Sequence, residues 1–212
     1  MGPNSTRPIN GFKVKEFHDG ETISLGAVSI KVIHTPGHTL ESSCFLLKDK
    51  HGKDGAIFTG DTVFLGEVGR PDLACSDKIT SQDLAVMLFD SIQKLRVLDG
   101  SLRIYPGHGS GSACGKSIGA GNFCTMGAQY ANNYGFKFTD KNEFIKAVTA
   151  NIPKPPSYFF HDAGLNQKGA LSYEKAHSTA HRSLSAQEFF KHKNSKIIDT
   201  RMDVGPGNAL PI

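Results

Sequence analysis

Three times in this chain a short apolar run ends at a glycine turn that carries a metal-binding side chain. "IKVIHTPGHT" (30–39) delivers His38, "AIFTGDT" (56–62) delivers Asp61 and "LRIYPGHG" (102–109) delivers His108. Short runs rich in Ile, Val, Phe and Tyr, bounded by Gly and Pro, read as strands. A glycine directly after a strand lets the backbone turn sharply and expose the next side chain at the rim of the sheet. Such strand-end loops converge over one edge of a sheet, which is where sites are commonly built. Imidazole, carboxylate and imidazole together suit zinc or non-haem iron. Singly, each of these residues is more often a plain turn residue; the repeated context raises them to a candidate site.

His34 and His38 have the four-residue spacing of a helical zinc pair, but Pro36 and Gly37 stand between them. Those two residues forbid a helix, so the histidines need not share a face. The loop "YPGHGSGSACGKS" (105–117) resembles a phosphate cradle in its Gly-Lys-Ser ending. A P-loop needs glycine five places before the Gly of that ending, and Ser110 stands there instead. His108 makes a metal-facing loop the better reading, with Lys116 placed to meet an anionic substrate group. Cys114 beside Lys116 is a thiol whose pKa the lysine would lower.

The remaining pattern is mixed α/β. Residues 12–18, "FKVKEFH", alternate with period two, and "ETISLGAVSIKVIHT" (21–35) reads as strand, turn, strand. "SSCFLLKD" (42–49) and "AIFTG" flank a hairpin loop, "KHGKDG". "SQDLAVMLFDSIQKLRVL" (81–98) carries Leu84, Leu88, Ile92 and Leu95 at helical spacing, with Ser81 as its cap. "KNEFIKAVTA" (141–150) predicts a second, shorter helix. The prolines of "NIPKPPSYF" mark a boundary at 151, followed by a partly ordered connector over 157–182.

The bulk numbers fit a soluble globular protein: 212 residues, 38% hydrophobic, 21% charged and a net charge of +4. No basic block points to nucleic acid, and no apolar run has membrane-spanning length. Four cysteines without CxxC spacing predict free thiols and a cytoplasmic protein. His177 and His181 could share a helical face, but without the glutamate of a zincin motif they are a weak metal pair.

"HTPGHT", "FTGDTVFLGEVGRPDL" and "YPGHGSGSACGKS", in that order, resemble the second half of a metallo-β-lactamase-fold protein. Within that superfamily they are most similar to the persulfide dioxygenases, often fused to rhodanese domains. The likeness runs over roughly residues 10–150. "SLSAQEFFKHKNSKIIDTR" (183–201) is similar to the opening helix and strand of a rhodanese domain, although no cysteine follows Cys124 to carry sulfur there. The resemblance implies an α/β fold: the second half of an αββα sandwich over 1–150, a connector over 151–182, and the start of a rhodanese-like segment over 183–212.

The resemblance implies that His38 and Asp61 are metal ligands, joined by a further histidine around one iron, with open positions for O₂ and a low-molecular-weight persulfide. In the hydrolase branches Asp61 instead bridges two zinc ions and His108 binds the second, for cleavage of a thioester. Arg70 and Asp72 are expected to organise the loop beside the metal or to form a structural ion pair. Ser110, Cys114 and Lys116 are expected on the substrate side.

The family's first ligand cluster, His-x-His-x-Asp-His, has no counterpart here, since no two of the nine histidines stand two places apart. The expectation is a fragment, inactive or weakly active alone, with an exposed apolar sheet face able to dock a partner or a second copy.

Overall fold

The computed structural model describes Pro3, residues 15–180, residues 183–192 and Lys196. The chain divides into two compact units, Met1–Gly169 and Ala170–Ile212. The first is built on a six-stranded sheet in the order β1-β2-β3-β4-β7-β8. Its strands are β1 (Thr22–Leu25), β2 (Val28–His34), β3 (Ser43–Lys48), β4 (Asp54–Gly60), β7 (Arg103–Pro106) and β8 (Cys124–Thr125). A small hairpin, β5 (Val63–Phe64) with β6 (Glu67–Val68), stands apart from it.

Neighbouring strands are antiparallel except β4 and β7, which run parallel. Their connection carries helix α1 (Ser81–Leu95), as a parallel pair requires a crossover. Since β3 reverses direction between β2 and β4, the strands β2, β4 and β7 all end at the same edge. That topology turns three motifs scattered over 70 residues of sequence into neighbours.

Side chains alternate between the two faces of the sheet. Cys44, Leu46, Ile57 and Ile104 are buried on one face and join a core with Ala85, Leu88, Ile92 and Leu95 of α1. Each fully buried Leu or Ile contributes about 1.5–3 kcal/mol of burial free energy. Helix α3 (Lys141–Thr149) packs beside α1, with Phe144 edge-on to Phe89 at 5.4 Å. Helix α2 (Met126–Asn132) follows β8, and Asn133 beyond it is buried, with Nδ2 donating to Glu67 O at 2.8 Å and to Gln129 Oε1 at 2.6 Å.

The other face carries Phe45, Phe58 and Tyr105 in one register row. Phe58, 43% exposed, stacks on Tyr105 at 5.5 Å, and Tyr105 lies 5.7 Å from Phe123, itself 53% exposed. Within this aromatic row Phe58 is exposed, and Phe45 and Tyr105 are half-buried.

Three local expectations need correction. Thr80, not Ser81, caps α1: its hydroxyl accepts from Asp83 N–H while the Asp83 carboxylate accepts from Thr80 N–H. Residues 15–18 form no strand, and 11–14 lie outside the described residues. The stretch predicted as a partly ordered connector is largely helical, with α4 (Phe159–Lys168) in the first unit and α5 (Tyr173–Ala180) in the second.

In the second unit, α6 (Ala186–Lys191) begins at Ser185, whose hydroxyl accepts from Glu188 N–H in a second capping box. The strand expected over "SKIIDTR" lies outside the described residues, apart from Lys196. Among the described residues no helix is long and apolar enough to cross a membrane.

Candidate metal centre

The turn that presents His38 is held from below by α1. Gly37 has φ +141, and a Cβ there would lie 2.4 Å from Leu88 Cβ, so no side chain fits between turn and helix. Ser91 donates to Pro36 O at 2.7 Å and fixes the same turn from the next helical position on that face. His38 is thereby buried, and its Nδ1 donates to the Arg70 carbonyl at 2.9 Å. A carbonyl only accepts, so Nδ1 carries a proton and Nε2 is the ring nitrogen left to face Asp61.

Strand β4 ends at Gly60, where φ is +50, and Asp61 follows. Gly107 N–H donates to Gly60 O at 2.8 Å, which locks the end of β7 to the end of β4 and brings His108 alongside Asp61. Both histidines then point at one atom: His38 Nε2 and His108 Nε2 each lie 3.4 Å from Asp61 Oδ2. His108 is the open member, with 46% of its side chain exposed, against 9% for His38 and 26% for Asp61. Glycine is required on both flanks. A Cβ on Gly107 would lie 2.5 Å from Asp61 Oδ1, and one on Gly69 would lie 1.9 Å from Asp61 O.

The structure adds Cys114 to this group. Donor atoms of His38, Asp61 and Cys114 all lie within 4.8 Å of one another, and among the described residues this is the cluster able to hold a metal ion. His108 falls outside it, although its Nε2 lies 3.4 Å from the same Asp61 oxygen. His38 Nε2 and the Asp61 carboxylate oxygen, 3.4 Å apart, are at the separation from which one divalent ion would be held by both. The donor set therefore fits a divalent ion such as zinc or iron(II).

Burial alone would raise the Asp61 carboxyl pKa. The hydrogen bond and charge of His38, the charge of His108 and the Cys114 thiol outweigh it and hold the group below the usual carboxylate range. For Cys114 the balance runs opposite to the sequence expectation. Burial raises the thiol and the Asp61 charge raises it further, against the lowering by Ser112 and Arg70.

Lys116 is not among the groups that shift the Cys114 thiol. Its Nζ donates to Ala147 O at 2.8 Å and Ala150 O at 2.6 Å, satisfying carbonyls at the C-terminal end of α3. Ser110 is exposed in the loop beyond His108.

Arg70 and Asp72 form the ion pair and organise the loop as well. Arg70 is 3% exposed, with Nε and Nη2 donating to the two Asp72 oxygens at 2.7 Å each. Nη1 donates to Ala113 O at 3.2 Å, Nη2 to Pro153 O at 2.5 Å, and the backbone N–H to Cys114 O at 3.1 Å. One residue thus orients His38 through its carbonyl and holds the Cys114 loop through its guanidinium.

A buried carboxylate that the sequence reading missed, Glu67, pins the same loop. Its Oε2 accepts from Ser117 N–H at 3.1 Å, and its Cγ would lie 2.9 Å from a Cβ on Gly115. An acidic residue inside the apolar run "VFLGEVG" was the available signal. His34 stays out of the site, with Nε2 against Leu40 O at 2.9 Å. His177 lies 5.5 Å from the Tyr173 ring, and His181 lies outside the described residues. All four cysteines are free.

The Metallo-beta-lactamase superfamily model matches residues 3–108, a span that contains His38 and Asp61 and ends on His108. A probable polyketide biosynthesis zinc-dependent hydrolase of Bacillus subtilis, PksB, is 35% identical over 137 residues, covering 64% of this chain and 52% of that protein. A hydroxyacylglutathione hydrolase of Francisella philomiragia is 38% identical over 90 residues, 42% of this chain and 31% of that one. Among solved structures, a metallo-beta-lactamase from Staphylococcus aureus superposes with a TM-score of 0.68 at 35% identity, over 75% of this chain and 46% of that one. The chain spans about half, or less, of the length of the curated relatives that it matches.

Proposed function

This chain belongs to the metallo-beta-lactamase superfamily, and on that premise we propose that His38, Asp61 and His108 hold a metal that acts on the sulfur of a small molecule. The first reading is oxidation of a low-molecular-weight persulfide with O₂ at a single iron(II). The observation that supports it is the meeting of two imidazoles on one carboxylate oxygen, each at 3.4 Å. Two histidines and one carboxylate are the donor set that leaves positions open on iron(II) for O₂ and a substrate. Such an ion, when bound, supplies Lewis acidity and redox chemistry at the substrate sulfur.

The chain's own residues bind and orient. Arg70 O keeps Nε2 of His38 free as a donor, and the glycines at 37, 69 and 107 let backbone close tightly around Asp61. With 46% of its side chain exposed, His108 is the member of the group that an incoming substrate would meet.

A second reading is thioester hydrolysis at zinc, and a specific observation favours it. His108 stands outside the His38–Asp61–Cys114 group although its Nε2 lies 3.4 Å from the same Asp61 oxygen, so His108 and Asp61 would be the residues to hold a second ion. The zinc-dependent hydrolase PksB points the same way.

The test is to load the full chain with iron(II) or with zinc, count retained metal, and measure O₂ uptake with glutathione persulfide beside cleavage of a hydroxyacylglutathione. One iron with O₂ uptake matched to persulfide loss supports the first reading. Two zinc ions with thioester cleavage and no O₂ uptake replace it by the second, and no retained metal refutes both.

A further inference from the structure

We propose that the Cys114 sulfur is a further ligand of this centre, closing a His38–Asp61–Cys114 face on a borderline or soft divalent ion. The inference rests on the metal-site reading above and adds a donor that reading does not use. With bonds of about 2.1 Å to nitrogen and oxygen and about 2.3 Å to sulfur, ligand atoms of one tetrahedral ion stand about 3.4–3.6 Å apart. His38 Nε2 and Asp61 Oδ2 are already at 3.4 Å. The sulfur lies within 4.8 Å of donor atoms on both, so a small side-chain rotation completes the face.

The position of Cys114 is built rather than incidental. Its carbonyl accepts from Arg70 N–H at 3.1 Å, the preceding carbonyl accepts from Arg70 Nη1 at 3.2 Å, and its own N–H donates to Ser112 Oγ at 3.2 Å. On the far side, Gly115 has no room for a Cβ against Glu67 and Ile118, each at 2.9 Å. Arg70 is therefore the common anchor of two donors: its carbonyl sets the His38 ring and its nitrogens set the cysteine. A thiolate added to imidazole and carboxylate shifts preference toward zinc-like ions and away from magnesium, calcium or manganese. The other three thiols serve as internal references, since Cys44 is buried, Cys75 is exposed and Cys124 is half-buried.

The test uses zinc and cobalt(II) alone as probes on the full chain. Iodoacetamide labelling, timed for each cysteine by peptide mass spectrometry, is run with and without stoichiometric zinc. Zinc is expected to slow Cys114 at least about tenfold and to leave Cys75 unchanged, with the protection gone in His38→Ala. Cobalt(II) is expected to give a sulfur-to-metal charge-transfer band in the near ultraviolet that Cys114→Ser removes while the ligand-field bands persist. Zinc bound, by equilibrium dialysis, with Cys114 labelled at an unchanged rate overturns the proposal and leaves the His–Asp centre standing. A charge-transfer band that survives in Cys114→Ser overturns it as well. Absence of any bound zinc overturns both this proposal and the reading beneath it.

Discussion

Gly107→Ala separates a defect of the centre from a defect of the fold. A Cβ at this position would lie 2.5 Å from Asp61 Oδ1, 3.2 Å from Gly60 C and 3.3 Å from Gly60 O. An ordinary contact is roughly 0.9 Å or more longer than the first of these, so the carboxylate must swing away by about that much. Metal sites tolerate about 0.2 Å in ligand distance. Zinc affinity should therefore fall about 10- to 100-fold, or about 1.4–2.7 kcal/mol.

The fold should suffer far less, because the atom that must move ends a side chain and the Gly60 backbone yields only a few tenths of an ångström. A cost of about 1 kcal/mol, or about 2–4 °C in Tm, is expected. Gly69→Ala is the contrast: its Cβ would lie 1.9 Å from the backbone oxygen of Asp61, which has nowhere to go. That variant should lose about 3 kcal/mol or more and melt early even without metal. Zinc titration by competition with a chelator, beside thermal melts of both apo-proteins, reads the two effects. A Gly107→Ala protein that binds zinc like the parent, or one that unfolds as readily as Gly69→Ala, would refute the reasoning.

Arg70→Met strands Asp72 and two carbonyls and should lower the urea unfolding free energy by about 3 kcal/mol; Arg70→Lys should recover little of it, since an ammonium cannot reproduce the two-pronged contact. Phe144→Ala opens the contact between α1 and α3, where Phe144 is fully buried, and should cost about 3–5 kcal/mol by the same measurement. Thr80→Ala removes the capping box of α1 and should lower Tm and flatten its acid dependence. The Asp83 carboxyl is held low by the Thr80 hydroxyl and N–H. Its contribution is complete above the unfolded pKa of about 4 and is lost as pH falls through the lower folded value. An acid melting profile identical to the parent's would contradict that assignment.

The strand-end motifs were legible because each pairs a strand-forming run with a glycine turn and a ligand, and parallel β2, β4 and β7 put those ends on one edge. His38, Asp61 and His108 meet for that reason. Cys114 was visible only as a thiol in a glycine-rich loop. Its approach to Asp61 depends on Arg70, 44 positions earlier in the chain, folding back to hold the Ala113 and Cys114 carbonyls. Lys116 misled because sequence adjacency suggested a charge effect on Cys114, whereas its amine follows carbonyls 31 and 34 residues further on. Thr80 and Ser81 are both competent caps; the acidic residue three places after Thr80 decides between them. The helices α4 and α5 were hidden because their apolar residues, such as Phe160 and Tyr173, are exposed and keep no clear helical stripe.

The central claim is that Asp61 is the shared ligand of a metal centre. Equilibrium dialysis of the full chain and of Asp61→Asn against zinc, with elemental analysis, tests it directly, because the amide keeps the shape and removes the charge. The account predicts zinc retained by the parent chain and affinity lowered at least about 100-fold in Asp61→Asn, with little change in the apo-protein's melting. Equal zinc in both proteins would contradict it.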